Sequence, residues 1–226
     1  MNALLISATD TNAGKTVLTA ALAAYLQTYR SSESVGILKP IQTGVGDREL
    51  YSQLFALNQS LDEITPLYFQ APLAPPVAAE REGSWVDLKR AWRAMISLGQ
   101  QRDWVLVEAL GGLGTPVTHE LTVADVARDW ALPTVLVVPV RLGCLGQVVA
   151  NVALARQSKV NLKGIVLNCV TACSDGEIAD FAPIDLIQSL TNTLVLGIIP
   201  HLDDPTDIAK LAQVASNLDL ERLMPF

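Results

Sequence analysis

Short runs of consecutive apolar residues alternate with helix-like segments along most of this chain. In the run at 134–140, with the sequence TVLVVPV, apolar residues follow one another instead of alternating with polar ones. A strand of this kind is covered on both faces, as in a parallel sheet packed between two layers of helices. The sequence therefore predicts an α/β fold, with a mostly parallel sheet covered by helices on both faces.

The same pattern places the elements within one predicted domain, residues 1–226. Strands are predicted at 3–7, 35–40, 104–109, 134–140, 164–170 and 194–200, and helices at 15–29, 85–101, 121–130, 145–158, 176–191 and 206–217. Ser84 and Asp87 have the spacing of an N-terminal cap for the second of these helices. The proline-rich stretch at 70–82, QAPLAPPVAAERE, has no periodicity, so we expect an ordered surface loop there instead of a domain boundary.

Composition excludes several classes of protein. Half of the residues are apolar, which disfavours disorder, and a net charge of −7 without a basic cluster disfavours nucleic-acid binding. The longest apolar run is about half the ~20 residues that cross a bilayer, and the N-terminal run lacks the basic start of a secretory signal. Cys144, Cys169 and Cys173 form no disulfide-like framework, which suits a reducing cytoplasm. For Cys169 and Cys173, buried packing is favoured over a metal site.

The segment 7–16, SATDTNAGKT, joins the first predicted strand to the first predicted helix. Its Gly14-Lys15-Thr16 has the position of a phosphate-binding loop, where the free N–H groups and the dipole of a helix attract an anion. Lys15 would reach the β- and γ-phosphates of a nucleotide, and the Thr16 hydroxyl would bind Mg²⁺. The segment therefore predicts a nucleotide triphosphate site.

This loop departs from the usual spacing of phosphate-binding loops. The standard first glycine would fall at Thr9, and no glycine precedes Gly14 anywhere in the chain. The alternative interpretation is an ordinary helix that is capped by Thr11 or Asn12 and happens to begin with Gly-Lys. The order of strand, loop and helix favours the nucleotide site.

Charged side chains follow other predicted strands, at the edge where ligands bind in open parallel sheets. Lys39 follows the second strand, which we expect to neighbour the first, so its ammonium would meet that of Lys15 beside an anionic phosphoryl group. Glu108 ends the third strand as a candidate Mg²⁺ ligand, and Asp47 or Glu49 could supply a second carboxylate. The alternative for each is a solvated charge at a strand end.

Several motifs resemble the dethiobiotin synthetase family. The loop of that family reads Gly-Thr-Asp-Thr-x-x-Gly-Lys-Thr, one residue longer than the ordinary phosphate loop, and Ala8 stands here for its first glycine. Five further segments are similar to family motifs in the same order: KPIQTG, VLVEALGGLGTP, LGCLGQ, VLNCVT and GIIPHL. Departures are Ala109, where the family usually has glycine, and Ala172, where it often has proline.

The resemblance implies a P-loop NTPase-like three-layer sandwich and an ATP- and Mg²⁺-dependent ligase of biotin biosynthesis. Such an enzyme carboxylates 7,8-diaminononanoate with CO₂ and closes the ring to dethiobiotin, through a carbamate and a carbamic-phosphoric anhydride. The resemblance also implies a cytoplasmic homodimer whose substrate lies across the subunit interface.

The site residues follow from the motifs and from what the resemblance implies. The predicted nucleotide-binding residues are Asn12, Ala13, Gly14, Lys15, Thr16, Val17, Glu108, Asn168, Pro200 and His201. The predicted catalytic residues are Lys15, Lys39 and Thr11. The predicted substrate-binding residues are Thr11, Lys39, Thr43, Gly143, Cys144 and Leu145, and the predicted Mg²⁺ ligands are Thr16, Asp47 and Glu108.

Two other function classes fit the same loop. Partition and cell-division ATPases are related dimeric switches, but they carry an extra lysine early in the loop, where this chain has Ser7, Ala8 and Thr9. A non-catalytic regulatory domain of the same fold would not need two lysines directed at one phosphate. The pair Lys15 and Lys39 therefore favours an enzyme.

Overall fold

The computed structural model describes residues 2–224. The strands are β1 (Asn2–Ala8), β2 (Val35–Leu38), β3 (Ile41–Thr43), β4 (Leu67–Phe69), β5 (Trp104–Glu108), β6 (Thr134–Pro139), β7 (Leu162–Asn168) and β8 (Val195–Ile199). The helices are α1 (Lys15–Tyr29), α2 (Asp47–Leu54), α3 (Leu61–Ile64), α4 (Pro75–Arg81), α5 (Leu88–Gln101), α6 (Val123–Asp129), α7 (Cys144–Gln157), α8 (Asp175–Phe181), α9 (Ile184–Thr191), α10 (Ile208–Ser216) and α11 (Leu220–Leu223).

The main sheet has the strand order β2-β5-β1-β6-β7-β8, and its neighbouring strands pair in parallel. Successive side chains of β5 enter different cores because a strand alternates its faces. Leu106 packs in the core that includes α1 and α10, whereas Val105 and Val107 pack in the core that includes α5 and α7. The prediction of a mostly parallel sheet covered by helices on both faces is therefore confirmed.

The predicted strands all correspond to strands of the main sheet, and α1 has the predicted bounds. The helix predicted at 176–191 is instead two helices, α8 and α9. Pro183 lies at the start of α9 as its N-cap, and it has no N–H with which to continue the preceding helix. The single-domain prediction stays a prediction.

Two local predictions are wrong. The stretch at 70–82 contains α4, which begins with Pro75 in its first turn and buries Ala78 and Ala79. Proline at that position is already shaped for a helix, and a helix this short shows too little periodicity to be recognised. Ser84 does not cap α5: the Asp87 carboxylate accepts a hydrogen bond from the Arg90 N–H at 3.1 Å instead.

The prediction that β1 and β2 are adjacent in the sheet is also wrong, because β5 lies between them. Chain order does not fix sheet order, since the connections leave the sheet between strands. Lys39, directly after β2, is thus separated from the loop after β1 by the strand that ends in Glu108. Among the helices of residues 2–224, none is long and apolar enough to cross a membrane.

Candidate functional site

An open cavity of about 950 Å³ lies at the carboxyl ends of the sheet strands. The predicted site residues that line it are Thr11, Asn12, Gly14, Lys15, Thr16, Val17, Lys39, Thr43, Asp47, Glu108, Asn168, Pro200 and His201. The fold therefore brings most of the predicted nucleotide, substrate and metal residues into one space.

The loop between β1 and α1 has the backbone geometry of an anion site. Gly14 is the N-cap of α1 with φ of +101°, and Asn12 also has a positive φ, of +57°. No side chain caps this helix among the described residues, so the alternative of a cap by Thr11 or Asn12 is wrong. The first N–H groups of α1 remain available to a phosphate.

The alanine at the start of the loop causes no strain. Ala8 is the last residue of β1, where it pairs in register with Val137 of β6. An extended strand residue does not need a positive φ, so a methyl group is tolerated there. The irregular part of the loop begins only after Ala8.

Two hydrogen bonds hold the loop and its lysine. The Asn168 amide donates a hydrogen bond to the Ala13 carbonyl at 2.9 Å, and the Lys15 ammonium donates to the Asp10 carbonyl at 3.3 Å. Burial lowers the pKa of Lys15; Glu108 opposes this shift and the ammonium of Lys39 adds to it. The two lysines thus act on each other across the same cavity.

Lys39 lies within a compact charged cluster beneath the loop. Its ammonium binds Asp47 and lies 2.7 Å from Oε1 of Glu108. Burial opposes the charged form of Lys39, but Glu108 and Asp47 outweigh it and raise the pKa of this lysine. The Thr16 hydroxyl contacts the same carboxylates, at 3.3 Å from Asp47 and 3.2 Å from Glu108. Two carboxylates and one hydroxyl therefore surround a point that already attracts a cation.

The geometry distinguishes the two candidate carboxylates of α2. Asp47 faces Thr16 and Lys39, whereas Glu49 accepts hydrogen bonds from the Arg48 guanidinium at 2.8 Å and the Gly46 N–H at 3.1 Å. Although burial opposes the shift, these donors lower the pKa of Glu49 to about 2. The choice of Asp47 over Glu49 fits this arrangement.

The lowered pKa of Glu49 predicts a pH-dependent contribution to stability. Because its ordinary value is 4.5 and its folded value about 2, the contribution is complete above pH 4.5 and is lost as the pH falls toward 2. We expect Glu49→Gln to lower the free energy of unfolding at neutral pH by about 1 kcal/mol or less, since the group is partly exposed. Urea unfolding from pH 3 to 7 should show this difference shrinking with acid, and the exposed control Glu120→Gln should show none. A difference independent of pH would contradict the assignment.

The turn at 143–145 lies away from this cavity. Gly143, with φ of +89°, is the N-cap of α7, and the buried Cys144 thiol donates a hydrogen bond to the Phe181 carbonyl at 3.1 Å. Within one chain, Gly143, Cys144 and Leu145 do not join the lining of the cavity. Their predicted contact with substrate stays a prediction.

Sequence reasoning missed two polar contacts of the site. The buried Tyr51 hydroxyl donates a hydrogen bond to Oε2 of Glu108, and the Arg141 guanidinium binds Asp10 at 2.8 Å. Both pairs are distant along the chain, so no motif contains them. The one available signal was the i, i+4 spacing of Asp47 and Tyr51, which places both on one helix face.

The cysteines and the carboxylates indicate which metal chemistry is possible. Cys144 and Cys169 are buried and Cys173 is half-buried, all as free thiols, in agreement with the packing interpretation. No group of three histidine, cysteine or acidic residues within 2–224 could hold a metal on its own. Two carboxylates and a hydroxyl suit a hard cation that takes its other ligands from phosphate and water, as Mg²⁺ does.

Comparisons with known proteins agree with the fold and identify the family. The fold is similar to the solved structure of a ParA family ATPase from Chlorobium tepidum, with a TM-score of 0.58 and 15% identity over 99% of this chain and 93% of that chain. It is also similar to the structure of MinD with Mg-ADP from Pyrococcus horikoshii, with a TM-score of 0.57 and 16% identity over 98% of this chain and 88% of that chain. At these identities the likeness shows the P-loop ATPase fold alone.

Sequence matches are much closer. A family model described as an AAA domain matches residues 2–209. ATP-dependent dethiobiotin synthetases from Gloeothece citriformis and Crocosphaera subtropica are 58% and 56% identical, covering 100% and 99% of this chain and 100% of each relative. The corresponding protein from Bacillus subtilis is 28% identical over 99% of this chain and 98% of its own length. The chain therefore belongs to the ATP-dependent dethiobiotin synthetase family.

Proposed function

We propose that this chain is a cyclo-ligase that converts 7,8-diaminononanoate, CO₂ and ATP into dethiobiotin, ADP and phosphate. The observation that carries the proposal is the meeting of Lys15, Lys39, Asp47 and Glu108 in one cavity beside a phosphate-binding loop. Membership of the dethiobiotin synthetase family supports the same activity. Partition-type switch ATPases, the alternative class, share only the fold with this chain.

The loop and the cavity walls suit ATP. The N–H groups at the start of α1 would bind the phosphates, and Lys15 would move from the Asp10 carbonyl to the β- and γ-phosphates. The other predicted nucleotide residues lie where a base could reach, because Asn168, Pro200 and His201 line the same cavity. The loop and these residues together would fix ATP with its γ-phosphate near Lys39.

Mg²⁺ fits the donor set formed by Thr16, Asp47 and Glu108. The Thr16 hydroxyl lies within hydrogen-bond distance of both carboxylates, and the Lys39 ammonium contacts both of them, so the cluster is already arranged for positive charge. When bound, Mg²⁺ would neutralise charge on the β- and γ-phosphate oxygens. With the carboxylates bound to Mg²⁺, the Lys39 ammonium would be able to turn away from them toward substrate.

The proposed reaction has three steps. One amine of the diamine captures CO₂ as a carbamate and releases a proton. A carbamate oxygen then attacks the γ-phosphorus of ATP, ADP leaves, and a carbamic-phosphoric anhydride forms. The second amine attacks the carbonyl carbon of this anhydride, which closes the cyclic urea and releases phosphate.

The side chains would act by position and charge, since none serves as a nucleophile. Lys15 and Lys39 would stabilise the negative charge that develops on the carbamate and the transferring phosphoryl group. Thr11 and Thr43 line the cavity and would orient the diamine through hydrogen bonds from their hydroxyl groups.

The distal carboxylate of the diamine requires a further binding site. Gly143 is the N-cap of α7, whose first N–H groups can bind an anion, and the neighbouring Leu142 is 85% exposed. Because this turn lies outside the cavity of its own chain, we assign it to the substrate of a second copy in a homodimer. Gly143, Cys144 and Leu145 would then complete the site across the interface.

A product assay tests the proposed function. The protein is mixed with 7,8-diaminononanoate, ¹³C-bicarbonate and Mg²⁺-ATP, and the cyclic urea is sought by mass spectrometry. We expect labelled dethiobiotin whose formation requires the diamine and ATP and equals the phosphate released. Phosphate release that does not depend on the diamine would contradict the proposal and favour the switch class.

A further inference from the structure

Tyr51 is a buried polar residue that the proposed chemistry leaves unexplained. Its side chain is 0% exposed and packs in the apolar core that includes α1, yet its hydroxyl donates a hydrogen bond to Oε2 of Glu108. Glu108 faces the cavity, whereas Tyr51 lies behind it. Tyr51 therefore touches the site only through another residue.

The two oxygens of Glu108 have different surroundings. Oε2 receives the Tyr51 hydroxyl from the core side, while Oε1 lies 2.7 Å from the Lys39 ammonium and 3.2 Å from the Thr16 hydroxyl. The last torsion of a glutamate side chain is broad, so a carboxylate without such a contact can rotate. The Tyr51 hydroxyl therefore restrains the orientation of the carboxylate, with one oxygen toward the core and the other toward Lys39 and Thr16.

The hydrogen bond between Tyr51 and Glu108 also bears on the position of Asp47, the second carboxylate. Asp47 is the first residue of α2 and Tyr51 follows it by four positions, so both side chains lie on one face of the helix. A helix of eight residues has little stability of its own and depends on its tertiary contacts. The bond from Tyr51 to Glu108 joins the helix that carries Asp47 to the strand that carries Glu108.

We propose that Tyr51 is a positioning residue that sets Glu108 and Asp47 at the spacing required to bind the divalent cation. This inference rests on the metal site of the proposed function. It assigns to Tyr51 an effect on metal affinity rather than on the chemical steps. Partners of metal ligands commonly change affinity about 10- to 100-fold when they are removed.

The test measures metal binding directly, with Mn²⁺ as the probe. Free Mn²⁺ is titrated by electron paramagnetic resonance in the presence of ADP, for the wild type and for Tyr51→Phe, which loses only the hydroxyl. We expect the dissociation constant to rise about 10-fold or more. The control is Tyr29→Phe, since Tyr29 is 56% exposed on α1 and should leave the constant unchanged. Equal affinity in Tyr51→Phe and wild type would overturn the inference.

Two further measurements separate positioning from a general loss of structure. Half-maximal activity of Tyr51→Phe should require about 10-fold more Mg²⁺, with kcat recovering to within a few-fold at saturation. In a Glu108→Ala background, adding Tyr51→Phe should change Mn²⁺ affinity little, because the residue acts through Glu108. If Tyr51→Phe folds poorly, the titration of both proteins is repeated in sucrose, which favours the folded state, and the same rise is expected.

The outcomes distinguish this inference from the proposed function. A wild-type protein that binds no Mn²⁺ with ADP would contradict the metal site and hence the function on which the inference rests. A wild type that binds Mn²⁺ and forms dethiobiotin, with a Tyr51→Phe variant that matches it at every Mg²⁺ concentration, would overturn the role of Tyr51 alone. A fall in kcat that persists at saturating Mg²⁺ would also overturn it.

Discussion

Replacing Lys39 by methionine is expected to lower kcat for dethiobiotin formation about 10²- to 10³-fold, while ATP affinity stays within a few-fold of wild type. Methionine keeps the length and apolar stem of the side chain but removes the ammonium. The lost interaction is with charge that develops on the carbamate and the phosphoryl group, which is greater in the transition state than in bound ATP. Single-turnover product formation and a separate ATP titration measure the two quantities.

The same substitution should also lower the free energy of unfolding, because it disrupts the charged cluster. Lys39 is 4% exposed and its ammonium contacts both Asp47 and Glu108, so its removal leaves two carboxylates facing each other. Losing one partner of a buried ion pair costs about 3 kcal/mol in the free energy of unfolding. Because Mg²⁺ would bind the same carboxylates, we expect millimolar Mg²⁺ to restore much of this stability.

The matched control for Lys39 is Lys89→Met, which removes an ammonium from an exposed position of α5. It should change neither kcat nor the free energy of unfolding measurably. Full ring closure by Lys39→Met would remove Lys39 from the mechanism. A stability loss that Mg²⁺ fails to reduce would contradict the shared cation position.

Elements with strong hydrophobic patterns could be predicted from the sequence. The strand at 104–109 and the helix at 15–29 have apolar runs that local composition determines, and both are present. Short elements could not be predicted, since α4 and the strands β3 and β4 have three to seven residues each and little periodicity. Their structure depends on the surfaces against which they pack.

The site could be predicted as a set of residues but not as an arrangement. Lys39 and Glu108 stood out because charged residues at strand ends share one edge of the sheet. The place of β5 between β1 and β2 could not be inferred, because sheet order is a tertiary property. The contact of Tyr51 with Glu108 joins residues 57 positions apart, so only the fold brings them together.

Replacing Gly14 by alanine is expected to weaken ATP binding about 100-fold or more, because backbone strain and a steric overlap would both distort the phosphate-binding loop. At φ of +101°, alanine would be strained, and its Cβ would lie 1.9 Å from the Asn168 amide nitrogen. Relief of that overlap would break the hydrogen bond from Asn168 to the Ala13 carbonyl. We expect the free energy of unfolding to fall by about 2–3 kcal/mol. Calorimetric ATP titration and urea unfolding measure these effects.

Two variants separate the causes at Gly14. Gly176→Ala adds the same methyl in the first turn of α8, where the nearest neighbouring atom is 4.0 Å away, so stability should be unchanged or slightly higher. Asn168→Ala in the Gly14→Ala background removes the overlap but not the backbone strain, so the double variant should lose less stability than the two single losses added together. Strict additivity would mean that Asn168 does not meet the new methyl group. Wild-type ATP affinity in Gly14→Ala would mean that the loop does not bind phosphate in this conformation.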